Sequence, residues 1–268
     1  STRKESSAAS DVYKRQALEA VGLPYLSAHV PSLLRSMLLW WSLQLLSHAV
    51  SPRLFPHTFH GMPKRTRTQW DIHFVSLVHS TVIAPLAIYF WLHIDESTDR
   101  VWGYDYKVGQ MYTLSLSYFV WDVVVSLRYE AFAFILHGAL GLLAATLVFK
   151  PLLMFDGMGV LIWEASTPFL NIHWFLDKLK LTGSRLQFVN AVFLCVTYVG
   201  VRLILGVYIS YSIISNLWLA DSPRVAMLYR LIYTLGLPVL NFLNYMWFIR
   251  MLRAMHKRFA TVQDKKTQ

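Results

Sequence analysis

Residues 186–214 read LQFVNAVFLCVTYVGVRLILGVYISYSII, a run of 29 positions with Arg202 as its only charged side chain. As a helix rising 1.5 Å per residue it extends about 44 Å, more than the roughly 30 Å of hydrocarbon in a bilayer. Six further apolar runs follow the same reading, at residues 33–50, 72–93, 111–127, 131–149, 152–176 and 225–252. The third is the shortest and the fifth the most polar. The pattern predicts an all-α fold, a polytopic transmembrane bundle of about seven helices. Pro85, Pro168 and Pro238 fall inside runs, where each frees a carbonyl that a neighbouring helix or polar side chain must satisfy, so kinks are expected there.

Composition agrees with a membrane solvent: 55% of residues are hydrophobic and only 15% charged, too few charges to clothe a water-facing surface. Trp and Tyr, 10 and 14 in number, suit the two bilayer interfaces. The net charge of +10 does not point to nucleic acid, because Lys and Arg cluster in short segments between apolar runs with no basic stripe among aromatics. Membrane lipids are the expected partners, and the basic residues read as topology signals and head-group contacts. Cys195 stands alone inside an apolar run, which excludes an intrachain disulfide and a cysteine metal cluster. No metal site is expected, since the only closely spaced histidines are His57 and His60, isolated in a loop. Neither a glycine-rich phosphate loop nor a serine hydrolase elbow is present.

The chain divides into a leader at 1–16 that looks non-native or disordered, a first transmembrane helix with a basic loop at 17–69, a six-helix membrane domain at 70–256, and a basic tail at 257–268. Seven crossings put the ends on opposite sides. One side then collects Arg53, Lys64, Arg65, Arg67, Arg128, Lys178, Lys180, Arg185 and the basic tail, while the other holds Arg100, Lys107, Lys150, Arg224 and Arg230. The positive-inside rule makes the C-terminus cytosolic and the N-terminus luminal. The closing Lys265-Lys266-Thr267-Gln268 has the two-lysine arrangement that marks endoplasmic-reticulum residents on cytosolic tails.

An ionised group near the bilayer centre costs roughly 2.5–3.5 kcal/mol on insertion scales, so it needs a partner, a wet cavity or a function. Four consecutive runs each contribute one strong candidate flanked on both sides by apolar residues: Asp122, His137, Glu164 and Arg202. Tyr118 precedes Asp122 by one helical turn, His79 lies in the second run, and Asn241, Asn244 and Trp247 recur at helical spacing in the last. If these faces converge they line a polar pocket within the membrane. Several bland alternatives stand beside that reading. Arg202 could pair with Glu164 or Asp122 as a packing bridge, His137 could be a hydrogen-bonded packing residue, and the two asparagines could join helices. The small residues Gly138, Gly141, Ala144 and Ala145 suit close helix approach, or room for an acyl chain.

Ser117-Tyr118-Phe119-Val120-Trp121-Asp122, then Phe134-Ile135-Leu136-His137, then Trp163-Glu164-Ala165-Ser166-Thr167-Pro168-Phe169-Leu170-Asn171, Arg202, and Asn244-Tyr245-Met246-Trp247-Phe248 occur in this order. The series resembles the TLC (TRAM, LAG1 and CLN8 homology) family of lipid-handling membrane proteins, and the Glu-x-Ser-Thr-Pro-Phe element is its most specific part. Ceramide synthases of that family carry two adjacent histidines where this chain has His137-Gly138. The departure places it nearer the TLC-domain-containing branch. The resemblance implies a lipid-binding or lipid-homeostasis protein whose pocket uses Tyr118, His79, Arg202, Asn241, Asn244 and Trp247. It implies as an alternative an acyltransferase that takes acyl-CoA as substrate without a cofactor. There His137 would be nucleophile or base, Glu164 or Asp122 would orient it, and Arg202 or Tyr118 would stabilise an oxyanion. A lipid transporter is a third reading, without a repeated half to support it.

Overall fold

The computed structural model describes residues 16–95, 97–150, 152–219 and 225–264, with side chains to residue 256. Most of the leader and the two-lysine ending lie outside the described residues. Among the described residues there is no strand. The helices are α1 (Val30–Leu54), the short α2 (Pro56–His60), α3 (Lys64–Leu92), α4 (Tyr106–Tyr129), α5 (Phe132–Leu147), α6 (Met154–Leu161), α7 (Thr167–Lys178), α8 (Arg185–Leu219) and α9 (Met227–Asp264).

By length and composition α3, α8 and residues Met227–His256 of α9 are long and apolar enough to cross a membrane. The 25 residues of α1 and 24 of α4 span about 36–38 Å. The 16-residue α5 reaches only about 24 Å, short of the hydrocarbon thickness. Counting α6 and α7 as one interrupted pass, these segments make the expected seven.

The interruption corrects one expectation. Pro85 and Pro238 sit inside continuous helices, but Pro168 occupies the first turn of α7, and a 3-10 turn, Ile162–Ser166, separates α6 from α7. A proline cannot donate to the carbonyl four residues back. That carbonyl belongs to Glu164, and it accepts instead from the Thr167 N–H in the tighter 3-10 pattern. The helix therefore breaks just ahead of the proline. A second irregularity, a π-helical segment at Val199–Ile204, lies within α8 and carries Arg202.

Beside a hydrophobic core, burial departs from that of a water-soluble protein. Phe193, Val196, Ile204 and Val207 of α8 are exposed, whereas His79, Ser80, Ser115, Ser117, Asn171, Arg202 and Asn244 are buried. With lipid as the outer solvent no force drives Leu or Val inward, while polar groups must find partners inside. Helix α3 is the hub: it packs against α1, α4, α6, the 3-10 turn and α7. Trp40 of α1 fixes part of this core, its indole N–H donating to Ser117 Oγ on α4 at 2.9 Å. Trp121 of α4 donates to Gln44 Oε1 of α1 at 2.8 Å.

Candidate functional site

The broken fifth pass and the π segment of α8 meet, and Arg202 joins them. Its Nε donates to Ser166 Oγ at 2.9 Å, one Nη to Thr167 Oγ1 at 3.0 Å and the other to Asn244 Oδ1 at 3.0 Å. Glu164 Oε1 lies 3.6 Å from the guanidinium, which also rests over the Tyr198 ring. The guanidinium thus ties the 3-10 turn, the start of α7 and α9 to α8. Of the two carboxylates the sequence offered it, the structure selects Glu164. Tyr198 reinforces the joint by donating to the Asn244 carbonyl at 3.0 Å.

Next to this joint runs an apolar cavity. Its empty space, part of it continuous with the outside, is about 720 Å³, though only about 70 Å³ admits the centre of a water molecule, so it is a slot and not a wet chamber. His137 and Glu164 line it together with Leu140, Gly141, Ala144, Ala145 and Val148 of α5, and α4, α6, α8 and α9 complete the wall. From His137 to Val148 the slot follows α5 for about 16 Å. His137 presents its ring edge-on to Trp247, centroids 5.4 Å apart, and Trp247 in turn stacks on Phe134. Neither His137 Nδ1 nor Trp247 Nε1 has a hydrogen-bond partner.

Asp122 reaches the site from α4 along a different line. A Cβ at Gly138 would come 2.7 Å from Asp122 Oδ2. The glycine following His137 therefore makes room for that carboxylate, and it is not among the residues lining the slot. The small residues that do line it are Gly141, Ala144 and Ala145. Tyr118 interacts electrostatically with Asp122, Glu164 and Arg202. Its ring lies flat on His79 of α3 with centroids 3.7 Å apart, and both nitrogens of His79 are buried without partners. Asn241 donates to Ser210 Oγ at 2.8 Å and joins α9 to α8.

Of the nine residues singled out in the sequence, then, two line the slot, three brace it (Arg202, Asn244, Trp247), three sit behind it (Asp122, Tyr118, His79) and Asn241 is a helix joint. Sequence reasoning missed Ser166 and Thr167 as partners of Arg202, although both lie within the Glu-x-Ser-Thr-Pro element. It also missed Asn171, which bonds His73 at 2.7 Å and Ser76 at 3.1 Å and so anchors α7 to α3. The slot's apolar walls carried no signal of their own.

A bundle of helices, several of them long and apolar enough to cross a membrane, defines an integral membrane protein. The TLC domain model, of TRAM, LAG1 and CLN8 homology, matches residues 69–253. The chain is 35% identical over 241 residues to an uncharacterised TLC domain-containing protein of Schizosaccharomyces pombe, covering 88% of this chain and 82% of that one. Human TLC domain-containing protein 4 is 26% identical over 220 residues, 78% and 82% of the two chains. Topoisomerase I damage affected protein 4 of Saccharomyces cerevisiae is 26% identical over 207 residues, 71% of each. This chain belongs to the TLC domain family.

Proposed function

We propose that the protein binds a membrane lipid, with an acyl chain in the slot along α5 and the polar end of that lipid at His137 and Glu164. The observation that carries the reading is the slot itself: narrow, mostly apolar, and lined at the His137 end of α5 by an imidazole with an unpartnered nitrogen. Water gains little there, while a hydrocarbon chain gains contact on every side and an ester or amide can meet the His137 ring. Membership in a family of membrane lipid-related proteins supports the same reading. The distribution of basic residues supports a cytosolic C-terminus and a luminal N-terminus, and membership in the family supports residence in the endoplasmic reticulum. His137 lies about 8 Å along α5 from its Arg128 end, so this orientation places it in the cytosolic half.

An acyltransferase reading draws on one observation, the free Nδ1 of His137 inside the slot. Against it, Glu164 is held by Arg202, and among the described residues no carboxylate is hydrogen-bonded to that nitrogen to orient the ring as a base requires. Binding without transfer is the better-supported function.

The test compares lipids that co-purify with the wild type, with Ala144→Phe, which fills the slot, and with His137→Ala, which alters its polar end. Bound lipid should fall by at least about tenfold in Ala144→Phe, and His137→Ala should change which lipid class is retained. Equal retention of the same lipids by all three proteins would sink the proposal. Acyl transfer from acyl-CoA by the purified wild type, lost in His137→Ala, would establish the enzyme reading in its place.

A further inference from the structure

A second cavity lies on the other side of the α6–α8 contact, and its chemistry is opposite. It is an open groove with about 560 Å³ of empty space; about 220 Å³ admits the centre of a water molecule, and Trp91, Arg100, Asp156, Tyr208, Ile209, Ser212 and Asn216 line it. Tyr208, Ser212 and Asn216 are spaced four residues apart, so they form one polar stripe along α8, a helix whose most apolar window has a mean hydropathy of 2.1. Tyr208 is exposed on the outer surface of α8, which in a membrane-crossing helix faces lipid. The groove therefore opens to the bilayer and ends at the loop that carries Arg100. A wet polar stripe facing hydrocarbon is costly unless something polar occupies it.

At the loop end Arg100 and Asp156 form an ion pair at the same 3.6 Å separation as Arg202 and Glu164, but one whose cation stays accessible to a ligand. Arg100 Nη1 stands 3.6 Å from Asp156 Oδ1, beyond the 2.7–2.9 Å of a charge-assisted hydrogen bond. The Asp156 carboxylate is largely buried while the Arg100 side chain is 42% exposed. Asn216 Nδ2 donates to Asp156 Oδ2 at 3.0 Å, which fixes the carboxylate and leaves the amide oxygen of Asn216 free to accept. A ligand with a single charge would satisfy one of these groups and repel the other, whereas a zwitterion answers both.

We propose that this groove binds the head group of a zwitterionic glycerophospholipid with a primary ammonium, the phosphate on Arg100 and the ammonium on Asp156. The guanidinium offers a planar fork of N–H donors to phosphate oxygens. Asp156, Ser212 and the Asn216 amide oxygen supply acceptors for an ammonium that carries three hydrogens. A quaternary ammonium has no N–H to give them, and of the aromatic walls that would serve it instead only Trp91 and Tyr208 are present. The glycerol ester region then runs along the Ser212–Tyr208 stripe, with the chains leaving into the bilayer beside Tyr208.

The experiment delipidates the full chain in detergent and adds back phosphatidylethanolamine, phosphatidylcholine or phosphatidylglycerol of matched chains, with retained lipid counted by native mass spectrometry. The wild type should retain phosphatidylethanolamine about tenfold better than the other two, the worth of one charge-assisted hydrogen bond. Arg100→Gln should lower retention of phosphatidylethanolamine and phosphatidylcholine alike, and Asp156→Asn should erase the preference between them. Ser212→Leu fills the groove without touching the Arg100–Asp156–Asn216 cluster and should abolish the preference for phosphatidylethanolamine, at an unchanged unfolding temperature, while lipid held in the apolar slot remains. Ala144→Phe, in the apolar slot, should leave this preference intact, so the two sites are read separately. No preference in the wild type, or unchanged retention in Arg100→Gln with an unchanged preference in Ser212→Leu, overturns the proposal. Free phosphoethanolamine binding as tightly as the lipid would overturn its assignment to a lipid.

Discussion

Arg202→Met is the most informative single change, because methionine keeps much of the aliphatic stem and deletes the fork that holds the broken pass. Three hydrogen bonds from a charged donor are lost. At about 1.5 kcal/mol each, the low end for charged groups, they amount to roughly 4.5 kcal/mol. The Glu164 carboxylate, now without its cation 3.6 Å away, stays buried, and breaking such a pair costs about 3–5 kcal/mol by a separate route of estimation. The two figures describe one loss, and about 4 kcal/mol is the working value. At about 2–4 °C per kcal/mol for a chain near this size, unfolding should shift down by roughly 8–16 °C. Cys195 is the only cysteine and packs its sulfur 3.8 Å from that of Met255, so thiol labelling during heating reports separation of α8 from α9. Arg202→Lys, which keeps the charge but not the fork, should lie between wild type and methionine. Adding Glu164→Gln to Arg202→Met should recover part of the loss. An Arg202→Met protein that labels within about 2 °C of the wild type would refute the clamp.

At Gly138, an added methyl meets the Asp122 carboxylate at 2.7 Å. Gly138→Ala should therefore destabilise by about 1–3 kcal/mol, and a double-mutant cycle with Asp122→Ala, read by the same labelling assay, should show coupling between the two positions. Gly138→His, which restores the paired histidines of the synthases in sequence, should fail to produce ceramide in a purified acyl-transfer assay, because its side chain displaces Asp122. Outside the membrane, His29 bonds Tyr104 and stacks on Tyr106. Burial lowers the His29 pKa below its ordinary 6.5 and raises that of Tyr104 to about 12. The unfolded chain then takes up a proton that folded His29 refuses, so stability is held above pH 6.5 and falls as pH drops below it. His29→Gln should flatten that acid limb in unfolding curves taken between about pH 7 and pH 5.

The long passes were legible because length and hydropathy decide them: residues 186–214 lie within α8 and 72–93 nearly coincide with the apolar part of α3. The break in the fifth pass was not, because a proline in an apolar run reads equally as a kink within one helix or as the start of another. The outcome turned on Glu164, whose carbonyl found the Thr167 N–H and let the helix close on a 3-10 turn. The same divide runs through the site. That Arg202 needed a partner followed from its cost in hydrocarbon. That the partner was Glu164, with Ser166, Thr167 and Asn244 beside it, followed only from the meeting of α7, α8 and α9. The stack of His79 on Tyr118 joins α3 to α4, residues 39 apart in sequence, and no local periodicity encodes it. The slot's walls are ordinary aliphatic and aromatic residues, Tyr112, Phe119, Trp163 and Tyr233 among them, whose role exists only once five helices surround them.

The Glu-x-Ser-Thr-Pro element is thus a single physical device. Irregular backbone at membrane depth is tolerated where it is buried in protein or lines a cavity, and this segment does both. Pro168 starts α7 and ends the preceding ladder. Ser166 and Thr167 accept from Arg202, which holds the break against α8. Glu164, displaced from a continuous helix by the 3-10 turn, faces the slot with its charge already answered. Because Arg202 answers it, Glu164 is a weak partner for His137. On the proposed reading, the polar end of the slot then offers one imidazole flanked by Trp247, an arrangement better suited to meeting a head group or ester than to moving a proton.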